Sequence, residues 1–216
     1  PESFLDSCLK DKVKEGIEII SMRGGSLNNP LNKSFLFKDE KSPTDISYLC
    51  YNQNDYFPCV NQEPMLFQHL EDEIKDYISD DVTSCFNDLE ASLGRQGYSV
   101  QKELRSFEVK LQSKKVVIET DSEITLTKSG ETSKQEDFRI FVGSRLYEIA
   151  EVANRIVNDE ATTCNFDYVF FMMNNPEFDI DKKEPKTIDS TEIYVIIHED
   201  TNERFNLAIR GCVTPP

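Results

Sequence analysis

The chain has no tryptophan and only 2 histidines. No stretch approaches the ~18 consecutive apolar residues of a membrane-spanning helix. Basic side chains are in deficit: 24 Lys and Arg stand against 40 Asp and Glu, a formal net charge of −16. Nucleic-acid binders draw much of their affinity from phosphate neutralisation, and no cluster of Lys and Arg interleaved with aromatics serves that here. The same deficit disfavours docking on an anionic bilayer. The expected partner is therefore a protein or cell-surface partner, with no nucleic acid, and the acidity is read as solubility.

Catalytic patterns are also missing. There is no nucleophile elbow, no phosphate-cradling glycine loop and no dinucleotide fingerprint. Gly24-Gly25 lacks the strand–turn–helix context of a phosphate loop. His69 and Glu73, one helical turn apart, could share a metal or a proton, but H-E-x-x-H is absent. An exposed helical histidine beside a solvated glutamate is the expectation there. His198, at a strand end beside Glu199 and Asp200, is expected as a turn residue in water. No catalytic residue is assigned.

Two short patterns are candidate sites. Asn32-Lys33-Ser34 is a glycosylation sequon in a loop-like stretch. Asn174, Asn175, Glu177, Asp179 and Asp181 set oxygen ligands at near-alternate positions, which suits calcium, with Glu177, Asp179 and Asp181 the candidate ligands. The EF-hand pattern is not met, for want of a Gly at the sixth position and a terminal Glu. A solvated loop without cofactor is the default.

What the sequence does have is 6 cysteines: Cys8, Cys50, Cys59, Cys85, Cys164 and Cys212. None forms C-x-x-C, which argues against a zinc ribbon or a thioredoxin-like site. Three disulfides in an oxidising compartment fit best. Buried free thiols in a cytosolic protein are the alternative. Many pairings are open. Cys50 and Cys59 bracket a turn at Asn52–Asp55, Cys8 and Cys85 would staple two helices, and Cys164 and Cys212 remain.

Period-two alternation dominates residues 98–142. Runs at Ser99–Gln112, Lys115–Thr120, Glu123–Lys128 and Lys134–Val142 each show one apolar side. The short polar breaks Ser113–Lys114, Asp121–Ser122 and Ser129–Glu131 suit hairpins, so an antiparallel meander is expected. Before it, helical spacing covers Glu2–Arg23, Gln62–Ser79 and Val82–Leu93. A loop with Pro30 and Pro43 follows the first helix, then strands at Ile46–Tyr51 and Tyr56–Val60. After it, Ser144 can cap a helix to Asn158 or Asp159. Phe166–Met173, with Tyr168, Val169, Phe170, Phe171 and Met172 between, is so apolar that its period does not tell helix from strand, and it is short enough to be a buried strand. Asn174–Thr187 reads as an acidic loop, and Glu192–His198 with Arg204–Arg210 as a hairpin.

Three features together resemble uncharacterised surface proteins of small-genome symbiotic (DPANN) archaea. They are Ser7-Cys8-Leu9 opening a helix that ends in Gly24-Gly25, Ser84-Cys85-Phe86 closing the second helical region, and Asp137–Val142 leading into Arg145-Leu146-Tyr147-Glu148-Ile149-Ala150. The resemblance covers most of residues 1–160. It implies an N-terminal membrane anchor ahead of Pro1 and an extracytoplasmic α+β domain. It supplies no catalytic residue.

The expectation is one α+β domain over 1–216: a helical part with a loop (1–97), a meandering antiparallel sheet (98–142), and a helix plus hairpin (143–216). Helices pack mainly on one face and disulfides staple the whole. The expected function is that of the extracytoplasmic domain of a cell-surface protein, binding a partner or building an envelope structure. A secreted hydrolase or sugar-active enzyme using paired carboxylates is the alternative.

Overall fold

A computed structural model describes residues 1–28, 34–35, 42–183 and 191–213. Asn32 of the sequon lies outside the described residues. The first helix, α1 (Glu2–Met22), buries Leu5, Leu9, Val13, Ile17 and Ile20 along one stripe. Gly24 ends it at φ 78°, and a side chain there would begin 2.7 Å from the Ser47 carbonyl oxygen. Only glycine meets both demands. Short strands follow: β1 (Ser34–Phe35), β2 (Thr44–Asp45), β3 (Tyr48–Tyr51) and β4 (Val60–Asn61). Tyr56, expected in a strand, sits at φ 67° in a loop instead.

Next comes α2 (Leu66–Arg95), a single helix of 30 residues where two were expected. Ile78, Val82, Cys85 and Phe86 continue one buried stripe. Asp80 falls on the exposed face, and no residue before Gly94 stops the helix. At Gly16 of α1 a Cβ would lie 2.6 Å from the Tyr77 ring, so the glycine lets α1 and α2 approach closely.

The central sheet is β5 (Ser99–Gln112), β6 (Lys115–Lys128), β7 (Glu131–Glu136) and β8 (Arg139–Gly143). The expected turn at Asp121–Ser122 is not there, and β6 runs straight through it. A bulge at Arg105 in β5 restores the register, and its guanidinium reaches Asp121. The break falls instead at Asp137 (φ 51°), which divides β7 from β8. Both then pair with β6, at Glu123–Lys128 and Lys115–Glu119 respectively.

After the sheet come α3 (Leu146–Thr163), α4 (Tyr168–Asn174), β9 (Phe178–Lys183), β10 (Glu192–His198) and β11 (Glu203–Arg210). The last three join β3 and β4 in a five-stranded mixed sheet of order β4-β3-β11-β10-β9. The β3–β11 pairing is parallel. The helices α1 and α3 each contact strands of both sheets, and one core continues across the helices into both. A smaller cluster of Phe35, Ile46, Tyr48, Ile193, Val195 and Ala208 covers the outer face of the mixed sheet.

Two expectations are corrected here. Phe166–Met173 is not a strand but the approach to α4 and most of that helix. Asp167 accepts from the Phe170 N–H at 2.9 Å and starts the helix. Asn174–Thr187 is not a loop over its described part, because β9 pairs with β10 from Phe178 to Lys183. The helix α3 also runs past Asp159, since Glu160 still faces the core; Cys164, at φ 56°, ends it.

The disulfides are Cys8–Cys85, Cys50–Cys59 and Cys164–Cys212, with Cα–Cα distances of 6.0, 5.3 and 5.9 Å. These are the pairs the sequence reading arrived at. The first joins α1 to α2. The third ties the end of α3 to the chain just after β11. Three disulfides fit an oxidising environment. No helix among the described residues is long and apolar enough to cross a membrane.

Candidate functional site

Two neighbouring features of the α3–α4–β9 region stand out: an uncovered helix face and a charged groove. Neither follows from the sequence pattern.

The helix α4 has 7 residues, none of them buried. Phe171 on its inner side meets the rings of Phe166 and Phe178 at 5.5 and 6.2 Å. Met172 Sδ accepts from the Ile180 N–H at 3.1 Å, capping a backbone donor of β9. Val169, Phe170 and Met173 point away, at 53%, 65% and 77% exposure. Isolated exposed apolar residues are ordinary, but three on one turn of a short helix are not. A second exposed set, Tyr56, Phe57, Val60 and Met65, flanks the Cys50–Cys59 loop. The Cys212 N–H donates to the Phe57 carbonyl at 2.6 Å, so the Cys164–Cys212 bridge links that loop to the segment leading into α4.

A buried polar cluster fixes α4 from beneath. Tyr194 Oη donates to Glu160 Oε1 at 2.5 Å, and the Phe166 N–H donates to the same oxygen at 3.1 Å. Lys182 Nζ lies 3.9 Å from it and 2.8 Å from Glu192. Burial, reinforced by the bond to Glu160, pushes the Tyr194 phenol far above its ordinary value.

The groove opens between α3, the α4–β9 turn and the end of β10, with a volume of about 610 Å³. Its frame is set by carboxylates. Glu203, first residue of β11, accepts from Ser144 Oγ at 2.5 Å and from the Arg145 N–H at 2.9 and 3.0 Å. That holds the N-terminus of α3 against the β10–β11 turn, with the negative charge where the helix dipole favours it. One turn on, Glu148 Oε1 accepts from Ser113 Oγ (2.8 Å) and the Lys114 N–H (3.0 Å), both in the β5–β6 turn. Glu148 Oε2 is buried without a partner.

His198 lies at the other side. It is 3% exposed, not a turn residue in water, and its ring meets Phe178 edge-on at 5.3 Å. Its Nδ1 is buried without a partner. The correction has a tertiary cause: β9 and α3 close over the end of β10, which the local sequence does not show. A larger cavity, about 760 Å³, lies between α1, the start of α3 and the β10–β11 turn.

No protein-family model, curated protein or solved structure matches this chain. Its function is therefore read from its own geometry.

The other sequence candidates are placed as follows. His69 is half-buried rather than exposed; Nε2 is 2.9 Å from Ser26 Oγ, and Nδ1 lies 3.7 Å from Glu63. Glu73 accepts from the Leu27 N–H at 2.6 Å. The pair thus pins the loop after α1 onto α2. Glu177, Asp179 and Asp181 are exposed, and Asp181 lies 3.5 Å from Lys183. A strand sets alternate residues ~7 Å apart in a row, not around a point. Among the described residues, no three His, Cys, Asp or Glu side chains are grouped to hold a metal. Sequence reasoning missed Glu148 and the exposed face of α4, and it set in water a His198 that is buried. For α4 the usable signal was Asp167 as an N-cap, with Asn174 and Asn175 at the far end.

Proposed function

We propose that this chain is the extracytoplasmic domain of a cell-surface protein and that it binds a protein partner, or a neighbouring envelope component, through the outer face of α4. The observation that carries the reading is the uncovered turn of Val169, Phe170 and Met173 on a helix with no buried residue. A helix whose apolar side chains face water is held in place by caps and by its inner residues; covering it would bury apolar surface at roughly 25 cal/mol per Å². The three disulfides support an oxidising location, and an anchor ahead of Pro1 belongs to the same proposal.

Two experiments test it. Intact mass after alkylation of denatured, unreduced protein is expected to show no added alkyl groups, and six after reduction; six without reduction would refute the extracytoplasmic reading. Labelled protein is expected to co-sediment with envelopes of the source cells. The double variant Phe170→Ser, Met173→Ser should lose that binding while its stability stays within about 0.5 kcal/mol, since both side chains are exposed. Undiminished binding by the variant would remove α4 from the interaction.

A further inference from the structure

We infer that Ser26, His69 and Glu63 form an acyl-transfer site, with Ser26 as the nucleophile toward small carboxylic esters. The three come from separate stretches: the turn after α1, the first turn of α2 and the segment ahead of it. Ser26 Oγ stands 2.9 Å from His69 Nε2, and Glu63 Oε2 stands 3.7 Å from Nδ1, the other ring nitrogen. A hydroxyl at one imidazole nitrogen and a carboxylate at the other is the arrangement that activates a serine, and such contacts are often loose without substrate. The Glu63 carboxylate favours the tautomer protonated at Nδ1. Nε2 is then an acceptor for the Ser26 hydroxyl proton.

The surroundings hold these groups in place. Gly24 and Gly25, at φ 78° and 89°, turn the chain sharply after α1 and bring Ser26 to α2. A side chain at Gly25 would meet Leu70 at 3.2 Å and Phe205 at 3.4 Å, so the turn is seated tightly on α2 and β11. Just past the serine, the Leu27 N–H donates to Glu73 Oε2 at 2.6 Å. Glu73 Oε1 lies 4.0 Å from Nε2, so a second carboxylate meets the positive charge that the ring acquires in the reaction. The Arg23 guanidinium, whose Nη1 donates to the Leu27 carbonyl at 3.3 Å, brings charged N–H groups to the same loop, where a developing oxyanion needs them. Ser26 is only 8% exposed, which limits the substrate to a short acyl group. In the reaction, Ser26 Oγ bonds to the ester carbonyl carbon and its proton passes to His69 Nε2. The bond from that carbon to the alcohol oxygen then breaks, and the alcohol leaves with the proton. Water repeats the sequence on the acyl-serine, with His69 again taking and returning a proton, and the carboxylic acid is released.

The test treats the folded wild-type protein with phenylmethanesulfonyl fluoride and maps the adduct by tandem mass spectrometry; p-nitrophenyl acetate gives the companion acylation burst. Ser26 is expected to be sulfonylated in the native protein and not in urea, and the burst should disappear in Ser26→Ala. His69→Gln should slow labelling by about 100-fold or more. Glu63 acts through His69 as a positioning residue, so Glu63→Gln should slow labelling and displace its pH profile while the urea midpoint stays put. The inference is overturned if millimolar reagent leaves Ser26 unmodified in the native protein, or labels it no faster there than in urea. It also fails if a folded His69→Gln variant is labelled at the wild-type rate. The comparison of native with unfolded wild type decides the matter even where a variant does not fold. None of these readouts involves the α4 face, so this site and the partner surface stand or fall separately.

Discussion

Replacing Cys8 and Cys85 together by alanine cuts the covalent tie between α1 and α2 while leaving the two helices packed on one core. The bridge spans 77 residues of sequence, whereas Cys50–Cys59 spans 9. In the loop-closure account a cross-link lowers the entropy of the unfolded chain by an amount that grows with the logarithm of loop length. That gives about 4.5 kcal/mol for the long loop and about 2.6 kcal/mol for the short one at room temperature. At ~2–4 °C per kcal/mol for a chain of this size, the first loss lowers Tm by about 9–18 °C. Urea unfolding followed by circular dichroism, under oxidising conditions, reads both double variants against the wild type. The Cys8→Ala, Cys85→Ala protein should lose more stability than Cys50→Ala, Cys59→Ala. A loss under about 1 kcal/mol, or the reverse order, would refute the reasoning: the unfolded chain would then already hold α1 near α2 without the bridge.

Three further outcomes are expected. Glu203→Ala removes the acceptor for Ser144 Oγ and the Arg145 N–H and should cost about 1–3 kcal/mol in urea unfolding, while Glu203→Gln recovers part of it. Tyr194 has a folded pKa raised above its unfolded value near 10, so its contribution is full below pH ~10 and is lost as pH rises beyond it. Unfolding free energy should therefore fall more steeply from pH ~9 to ~11 in the wild type than in Tyr194→Phe; equal slopes would contradict the burial argument. Millimolar calcium should leave the melting temperature unchanged, because β9 holds Asp179 and Asp181 in a row; a rise that Asp179→Asn and Asp181→Asn abolish would reinstate the acidic stretch as a calcium site.

Much of the fold is written locally. Phe107, Val109 and Leu111 alternate with charged neighbours, and β5 forms where they say. The stripe from Leu146 to Val157 is α3, and the Ser113–Lys114 break is a hairpin turn, with Lys114 at φ 66°. The cysteine pairs were legible because two helices and one turn already placed four of the six. Asp121–Ser122 misled for a specific reason. Short polar residues suit a turn, but here Ser122 is buried and its carbonyl accepts from the Asp137 N–H, while Asp121 meets Arg105 from the β5 bulge, and neither partner is local.

The site was far less legible. Glu148 and His198 are 50 positions apart. His198 becomes buried only when β9 and α3 close over the end of β10, and Glu148 finds its partners only in the β5–β6 turn of the other sheet. A histidine at a strand end followed by Glu199 and Asp200 has the sequence of an exposed turn, whatever folds over it.

By itself, then, the sequence determined the elements whose pattern has a period, the residues that stop them, and an acidic, six-cysteine chain suited to disulfides. Period and turn chemistry act over a few residues, where neighbours along the chain are neighbours in space. The tertiary structure decided what has no period. The apolar run Phe166–Met173 satisfies a strand or a helix equally, and became a helix through the Asp167 cap and the seat that Phe178 and Ile180 provide. The parallel pairing of β3 with β11 joins segments more than 150 residues apart in sequence. That pairing builds the second sheet, and the second sheet encloses the groove.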